Sequence, residues 1–187
     1  MREVAKLGVT LAAVCAIAAG AIAGVNGAVK ATIDENNRLE AVRKRQQVFP
    51  AAQEFEARTV DGREVFVARG EGGAPLGVVV TAGPRGYAGP IGMTLGIAPD
   101  GTVAGLAISK LDQTETPGLG VKVTLASFRD QFRGKGADAV RLKKDGGRID
   151  AITAATISSR AVADGVREAL AWYGRNFPQG PGGQPGG

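Results

Sequence analysis

The sequence predicts an α+β domain carried behind a membrane anchor, and three observations lead there. Runs rich in β-branched and aromatic residues flank Asp-Gly pairs, as antiparallel hairpins do. The last structured stretch instead repeats apolar residues every three or four positions, the pattern of an amphipathic helix. Residues 7–29 carry no charge, and roughly 20 such residues suffice to cross a bilayer as a helix.

In chain order, 1–6 form a short flank and 7–29 the transmembrane helix. Its Gly20 and Gly24 suit packing against neighbouring membrane helices. A cleavable signal peptide competes with this reading, with Arg2 and Lys6 as its basic start and Ala21-Ile22-Ala23 as a cleavage site. The long apolar run favours a retained anchor. The charge count opposes an outward-facing domain, because Lys30, Arg38, Arg43, Lys44 and Arg45 follow the span while only Arg2 and Lys6 precede it.

Residues 30–50 read as a polar helical linker with Leu39, Val42 and Phe49 on one side, ended by Pro50. A domain over 51–177 follows. Phe55–Val60 and Glu64–Arg69 flank Asp61-Gly62 as a hairpin, and Leu76–Thr81 suits a buried strand. Ile91–Ile97 and Thr102–Ile108 flank a second turn at Asp100-Gly101. Leu125–Phe132 is a short helix. Ala139–Lys143 and Ile149–Ile152 bracket Asp145-Gly146-Gly147 as a further hairpin. A helix from about Ser159 to Phe177 sets Val162, Val166, Leu170, Tyr173 and Phe177 on one face. The tail 178–187 is too rich in Gly and Pro to fold. Antiparallel hairpins with helices packed on one face make the domain α+β.

Composition excludes much chemistry. There is no histidine, which removes Ser-His-Asp catalysis and most zinc or haem ligation. The single cysteine, Cys15, lies in the apolar run, so neither an intrachain disulfide nor a Cys-ligated cluster can form. Redox chemistry would have to come from a bound organic cofactor. The net charge of +5 is spread out, and its densest run, Arg43-Lys44-Arg45, has no interleaved aromatics, which argues against a nucleic-acid partner.

The most informative stretch is Asp150-Ala151-Ile152-Thr153-Ala154-Ala155-Thr156-Ile157-Ser158-Ser159. It reads as a strand end, a turn of small and hydroxylated residues, and a helix start, where unpaired amides and the helix dipole favour a phosphate. The simpler reading makes Ser158 or Ser159 an ordinary N-cap. Glu115-Thr116-Pro117-Gly118-Leu119-Gly120 satisfies a Pro-Gly turn, and Tyr87-Ala88-Gly89-Pro90-Ile91 a turn with an anchoring aromatic.

These three segments, in their order along the chain, resemble the motifs of the FMN-binding domains in the G subunits of Rnf-type electron-transport complexes. The C subunit of the sodium-pumping quinone reductase is a relative, usually longer. The family's flavinylation pattern is Asp, two residues, Ser or Thr, Gly, Ala, Thr, one residue, then Ser or Thr. It maps onto Asp150, Thr153, Ala154, Ala155, Thr156 and Ser158. The resemblance implies FMN joined by a phosphoester to Thr156, with Thr153, Ala155 and Ser158 in the same motif. Glu115, Thr116, Gly118, Leu119 and Tyr87 become pocket residues. Ala154 replaces the usual Gly, and a left-handed backbone there would disfavour alanine by roughly 1 kcal/mol.

The resemblance further implies an electron carrier, not catalytic for the overall reaction alone, within an ion-translocating oxidoreductase coupling ferredoxin and NAD. Its partners would be the complex's other membrane subunits and, during maturation, a flavin transferase. The anchor would be single-pass in the inner membrane, with the FMN domain on the extracytoplasmic side. An anchored FMN-binding donor to another extracytoplasmic reductase, and a non-redox anchored binding module, are the alternatives.

Overall fold

The computed structural model describes residues 2–87, 89–109 and 123–182. The chain divides between Val42 and Arg43 into two compact units. Helix α1 spans Arg2–Val48. Within the first unit its apolar side chains, among them Leu7, Leu11, Ile17 and Ile22, lie open to the surroundings. A helix apolar all round and uncovered by protein needs lipid or other helices against it. Among the described residues it is the one helix long and apolar enough to cross a membrane.

The second unit is built on a five-stranded antiparallel meander, in the order β1-β2-β3-β4-β5. The strands are β1 Glu54–Val60, β2 Arg63–Arg69, β3 Pro75–Ala82, β4 Met93–Ile97 and β5 Val103–Ile108. The Asp-Gly signals behave as their chemistry requires. Asp61 and Gly62 both adopt positive φ (50° and 69°), the geometry that matches strand twist in a two-residue hairpin. At the β4–β5 turn, the Asp100 carboxylate accepts from the Thr102 amide (3.0 Å) and hydroxyl (2.7 Å).

Alternation along the strands gives the sheet two apolar faces. Val65, Val78, Val80, Leu95 and Ile97 face the main core. That core is closed by α3 (Thr156–Asn176) and by α2 (Ala126–Arg129), which continues into a 3₁₀ turn over Asp130–Phe132. The α3 face of Val162, Val166, Leu170, Tyr173 and Phe177 is buried there, joined by Trp172. Trp172 Nε1 donates to Asp61 Oδ2 (3.2 Å), and the Tyr173 hydroxyl reaches Pro99 O (3.5 Å), so two hairpin turns hold the C-terminal half of α3.

The opposite face, with Ala68, Val79 and Ala107, is covered by Val48, Phe49 and Ala52. Glycines make this close approach possible. A Cβ on Gly105 would sit 3.0 Å from Val48 Cα, and one on Gly96 would sit 2.9 Å from the Phe49 ring. Helices were expected on one face only; here the end of α1 fills the other.

Three local expectations are corrected. Leu39 and Val42 do not form a packed stripe with Phe49, since both are 46% exposed whereas Val48 and Phe49 are buried. Residues 139–152 form no hairpin. Leu142 and Ile149 meet in a single parallel bridge, and Lys143–Asp145 coil into a 3₁₀ turn ended by left-handed Gly146. Val140, Leu142 and Ile149 each plug the core, drawing the chain inward. It crowds there so closely that a Cβ on Gly147 would lie 2.2 Å from Arg141 O. Finally, α3 begins at Thr156 rather than Ser159.

Candidate functional site

The segment before α3 is a knot of short hydrogen bonds. Ala155 N donates to Ile152 O (3.0 Å), closing a tight turn. Its third residue, Ala154, lies in the left-handed region at φ 63°, where glycine is the usual occupant. Ser159, fully buried, clamps this turn to the helix: its Oγ accepts from Ile152 N (3.1 Å) and donates to Ala155 O (2.9 Å). Upstream, Asp150 N donates to the Gln131 side-chain oxygen (2.7 Å), and the exposed Asp150 carboxylate pairs with Lys143 (2.8 Å).

This turn fixes which hydroxyls face outward. Ser158 is 2% exposed and Ser159 wholly buried, whereas Thr153 is exposed and Thr156 partly so. Neither serine caps α3. The N-cap is Ala155, without a side-chain cap, and the first turn carries no acidic residue. The first helical amides therefore have no capping side chain, and the first turn itself brings no negative charge to the helix dipole. One turn on, Arg160 lies on the same flank as Thr156. It is held by Asp145 through two bonds of 3.0 and 3.1 Å. That pairing lowers the Asp145 pKa and raises that of Arg160. An accessible threonine on an uncapped, acid-free first turn fits a phosphorylated ligand.

The other expected site residues are placed less tightly. Tyr87 is 71% exposed, near the tip of a loop closed by Gly86 N to Gly89 O (2.8 Å) and Ile91 N to Pro84 O (2.8 Å). It does not anchor the turn in the core. Glu115, Thr116, Gly118 and Leu119 lie outside the described residues. A cleft of about 420 Å³ between β3 and α3, lined by Arg63, Thr81, Pro84 and Gly165 among others, contains no motif residue. Sequence reasoning missed Ser159 as the clamp and Gln131 as the support of Asp150. Only the abundance of hydroxyls before the helix hinted at the first, and nothing in the sequence signalled the second.

A profile of the FMN-binding domain matches residues 86–171, from the Tyr87 loop well into α3. The crystal structure of Shewanella oneidensis NqrC has a similar fold. It aligns with a TM-score of 0.51 at 24% identity over 65% of this chain and 67% of that one. The profile match places an FMN-binding domain over residues 86–171, within an α+β fold. The chain is 35% identical over 195 residues to the G subunit of the Na(+)-translocating ferredoxin:NAD(+) oxidoreductase complex of Acetobacterium woodii, covering 92% of each. It is 32% identical over 198 residues to the G subunit of the ion-translocating oxidoreductase complex of Escherichia coli O157:H7, covering 96% of this chain and 95% of that one. The chain belongs to the family formed by the G subunits of ion-translocating oxidoreductase complexes.

Proposed function

We propose that this chain is the electron-carrier subunit of a ferredoxin- and NAD-coupled ion-translocating complex, bearing FMN on Thr156 through a phosphoester. The observation that carries the reading is the position of Thr156: part-exposed, at the first position of an uncapped helix, directly after a left-handed turn. FMN supplies the reversible uptake and release of electrons; the protein binds, orients and tunes it. In attachment, Thr156 Oγ bonds the FMN phosphorus of FAD, the phosphoanhydride breaks, AMP leaves and the hydroxyl proton goes to solvent. A flavin transferase performs this step.

Residues 7–29 serve as a single-pass anchor in the inner membrane and 30–50 as a linker. Residues 51–177 form the extracytoplasmic FMN domain, next to the complex's other membrane subunits. Covalent attachment suits that location, because flavin lost there has no cytoplasmic pool to replace it.

Produced with a flavin transferase in the secretory route, the protein gives an ultraviolet-fluorescent band on a denaturing gel. Its mass rises by one FMN less water. Thr156→Ala abolishes both signals, and a mutant band that still fluoresces refutes the assignment. For sidedness, Gln53→Cys in a Cys15→Ala background places an exposed thiol at the start of the domain. A membrane-impermeant reagent labels it in intact spheroplasts; labelling only after lysis reverses the topology.

A further inference from the structure

The segment over 139–150 packs against α3 and leaves a groove of about 280 Å³ along one flank of that helix. Arg141 and Asp145 line it from the segment, and Arg160, Asp164 and Arg167 line it from α3. These three α3 positions are four and three residues apart, so they share one face of the helix. Thr156 is the next position on that face, one turn before Arg160.

The charges on this flank do not cancel. Three cations have carboxylate partners: Arg160 with Asp145 (3.0 Å), Arg167 with Asp164 (3.1 Å) and Lys143 with Asp150 (2.8 Å). Arg141, Lys144 and Arg148 are exposed, and among the described residues their side chains make no hydrogen bond or ion pair. Every carboxylate on the flank is thus answered, and three positive charges are left over. They are not needed to seat the segment, which is anchored in the core by Val140, Leu142 and Ile149.

A protein that reaches the Thr156 hydroxyl has to cover this flank. A standard interface takes about 800 Å² of each partner, a disc about 30 Å across. At 1.5 Å per residue, Arg160 lies about 6 Å and Arg167 about 16 Å along α3 from Thr156. The groove therefore falls within the footprint of any enzyme that modifies Thr156. A small anion would find two of the three guanidiniums already engaged. A protein surface brings several carboxylates at once and spans the whole flank.

We propose that this groove is the docking surface for the flavin transferase and receives an acidic rim beside that enzyme's active site. This rests on the FMN assigned to Thr156. Partner carboxylates meet Arg141 in the groove and Lys144 beside it, and the surplus positive charge steers the encounter.

The test labels full-length protein in mild detergent with purified flavin transferase and FAD. It compares the parent, a double variant carrying Arg141→Glu and Lys144→Glu, and Arg175→Glu. Arg175 is an exposed cation about 28 Å along α3 from Thr156, beyond the footprint. For the double variant kcat/KM of labelling falls about tenfold, through a higher KM for the protein. Its kcat and the KM for FAD stay with the parent, and Arg175→Glu labels like the parent. Raising the salt from about 0.05 M to about 0.5 M slows labelling of the parent and leaves the double variant nearly unchanged. The double variant melts with the parent, because neither side chain has a partner to lose. A double variant labelled as efficiently as the parent overturns the proposal. So does an equal loss in Arg175→Glu, which would make net charge alone the cause. A raised KM for FAD in place of the protein's overturns it as well, marking the groove as a site for the phosphates of FAD. A lowered melting temperature of the double variant also overturns it, marking the two cations as structural supports. Each of these leaves the Thr156 reading standing, whereas a parent without any fluorescent band overturns that reading and this one with it.

Discussion

Replacing Ala154 by glycine stabilises this protein, although the same change elsewhere in it does the opposite. Ala154 sits at φ 63°, where the Cβ of an L-residue crowds the following carbonyl at a cost of roughly 1–2 kcal/mol. Glycine removes that cost but adds freedom to the unfolded chain, worth about 0.4–1 kcal/mol. The balance is a gain of about 0.5–1 kcal/mol, or about 2 °C in melting temperature for a domain of this size. The control is Ala171→Gly, on the exposed side of α3 with ordinary helical backbone. It costs about 1 kcal/mol. Thermal melts of the flavin-free protein in mild detergent read both changes. Ala154→Val sharpens the contrast, because a β-branched residue in the left-handed region is a true outlier. It lowers stability and, with the turn disturbed, the yield of fluorescent band. If Ala154→Gly falls alongside Ala171→Gly, the strain argument is wrong.

Three further outcomes follow from the packing around the site. Ser159→Ala strands the Ile152 amide inside the protein, costing about 1–3 kcal/mol; urea titration reads this, and labelling at Thr156 weakens with the loosened turn. Gly105→Val drives a side chain into Val48, whose backbone would lie 3.0 Å from the new Cβ. Overpacking of this kind costs about 1–3 kcal/mol, and hydrogen exchange rises over Val48–Ala52 while α3 remains protected. Asp145→Asn removes the Arg160 pair, and its effect depends on pH. The folded carboxyl titrates below its unfolded counterpart, chiefly through the Arg160 hydrogen bond. The stability difference between parent and variant is therefore full at neutral pH and shrinks as pH falls below the ordinary Asp value of about 3.9. A difference that grows on acidification contradicts the pairing.

Where one local rule decides the outcome, sequence reading worked. Two Asp-Gly pairs specified hairpins because few other dipeptides tolerate those backbone angles, and the 3.6-residue period of α3 reported its buried face directly. It failed where a longer contact decided. The third Asp-Gly pair opens no hairpin, because Val140, Leu142 and Ile149 are each captured by the core before any ladder can form. The cover of the second sheet face was missed because the requirement lies in Gly96 and Gly105. A single sequence shows them as weak strand positions, without revealing that Val48 and Phe49 rest on them. The motif around Thr156 was legible as a string. Ser158 and Ser159, however, look identical to the outward threonines until the turn at Ala154 fixes which way each side chain points.

That turn also explains why residue 156, among four nearby hydroxyls, suits attachment under the proposed reading. Along α3 the buried stripe takes in positions 158, 159, 162, 163, 166, 169 and 170, while 157, 160, 164 and 168 face outward. Thr156 falls on the border between these faces and is only partly covered. A hydroxyl on the buried stripe could not be reached by a transferase. One on the open face, such as a Ser at position 160, would lie a full turn past the uncapped amides at the start of α3. Moving the hydroxyl separates these effects. In a Thr156→Ala background, Arg160→Ser offers a reachable nucleophile away from the uncapped amides. The reading expects no fluorescent band from it, while Thr156→Ser retains labelling. Equal fluorescence from both would mean that exposure alone selects the site, and that the helix start contributes nothing.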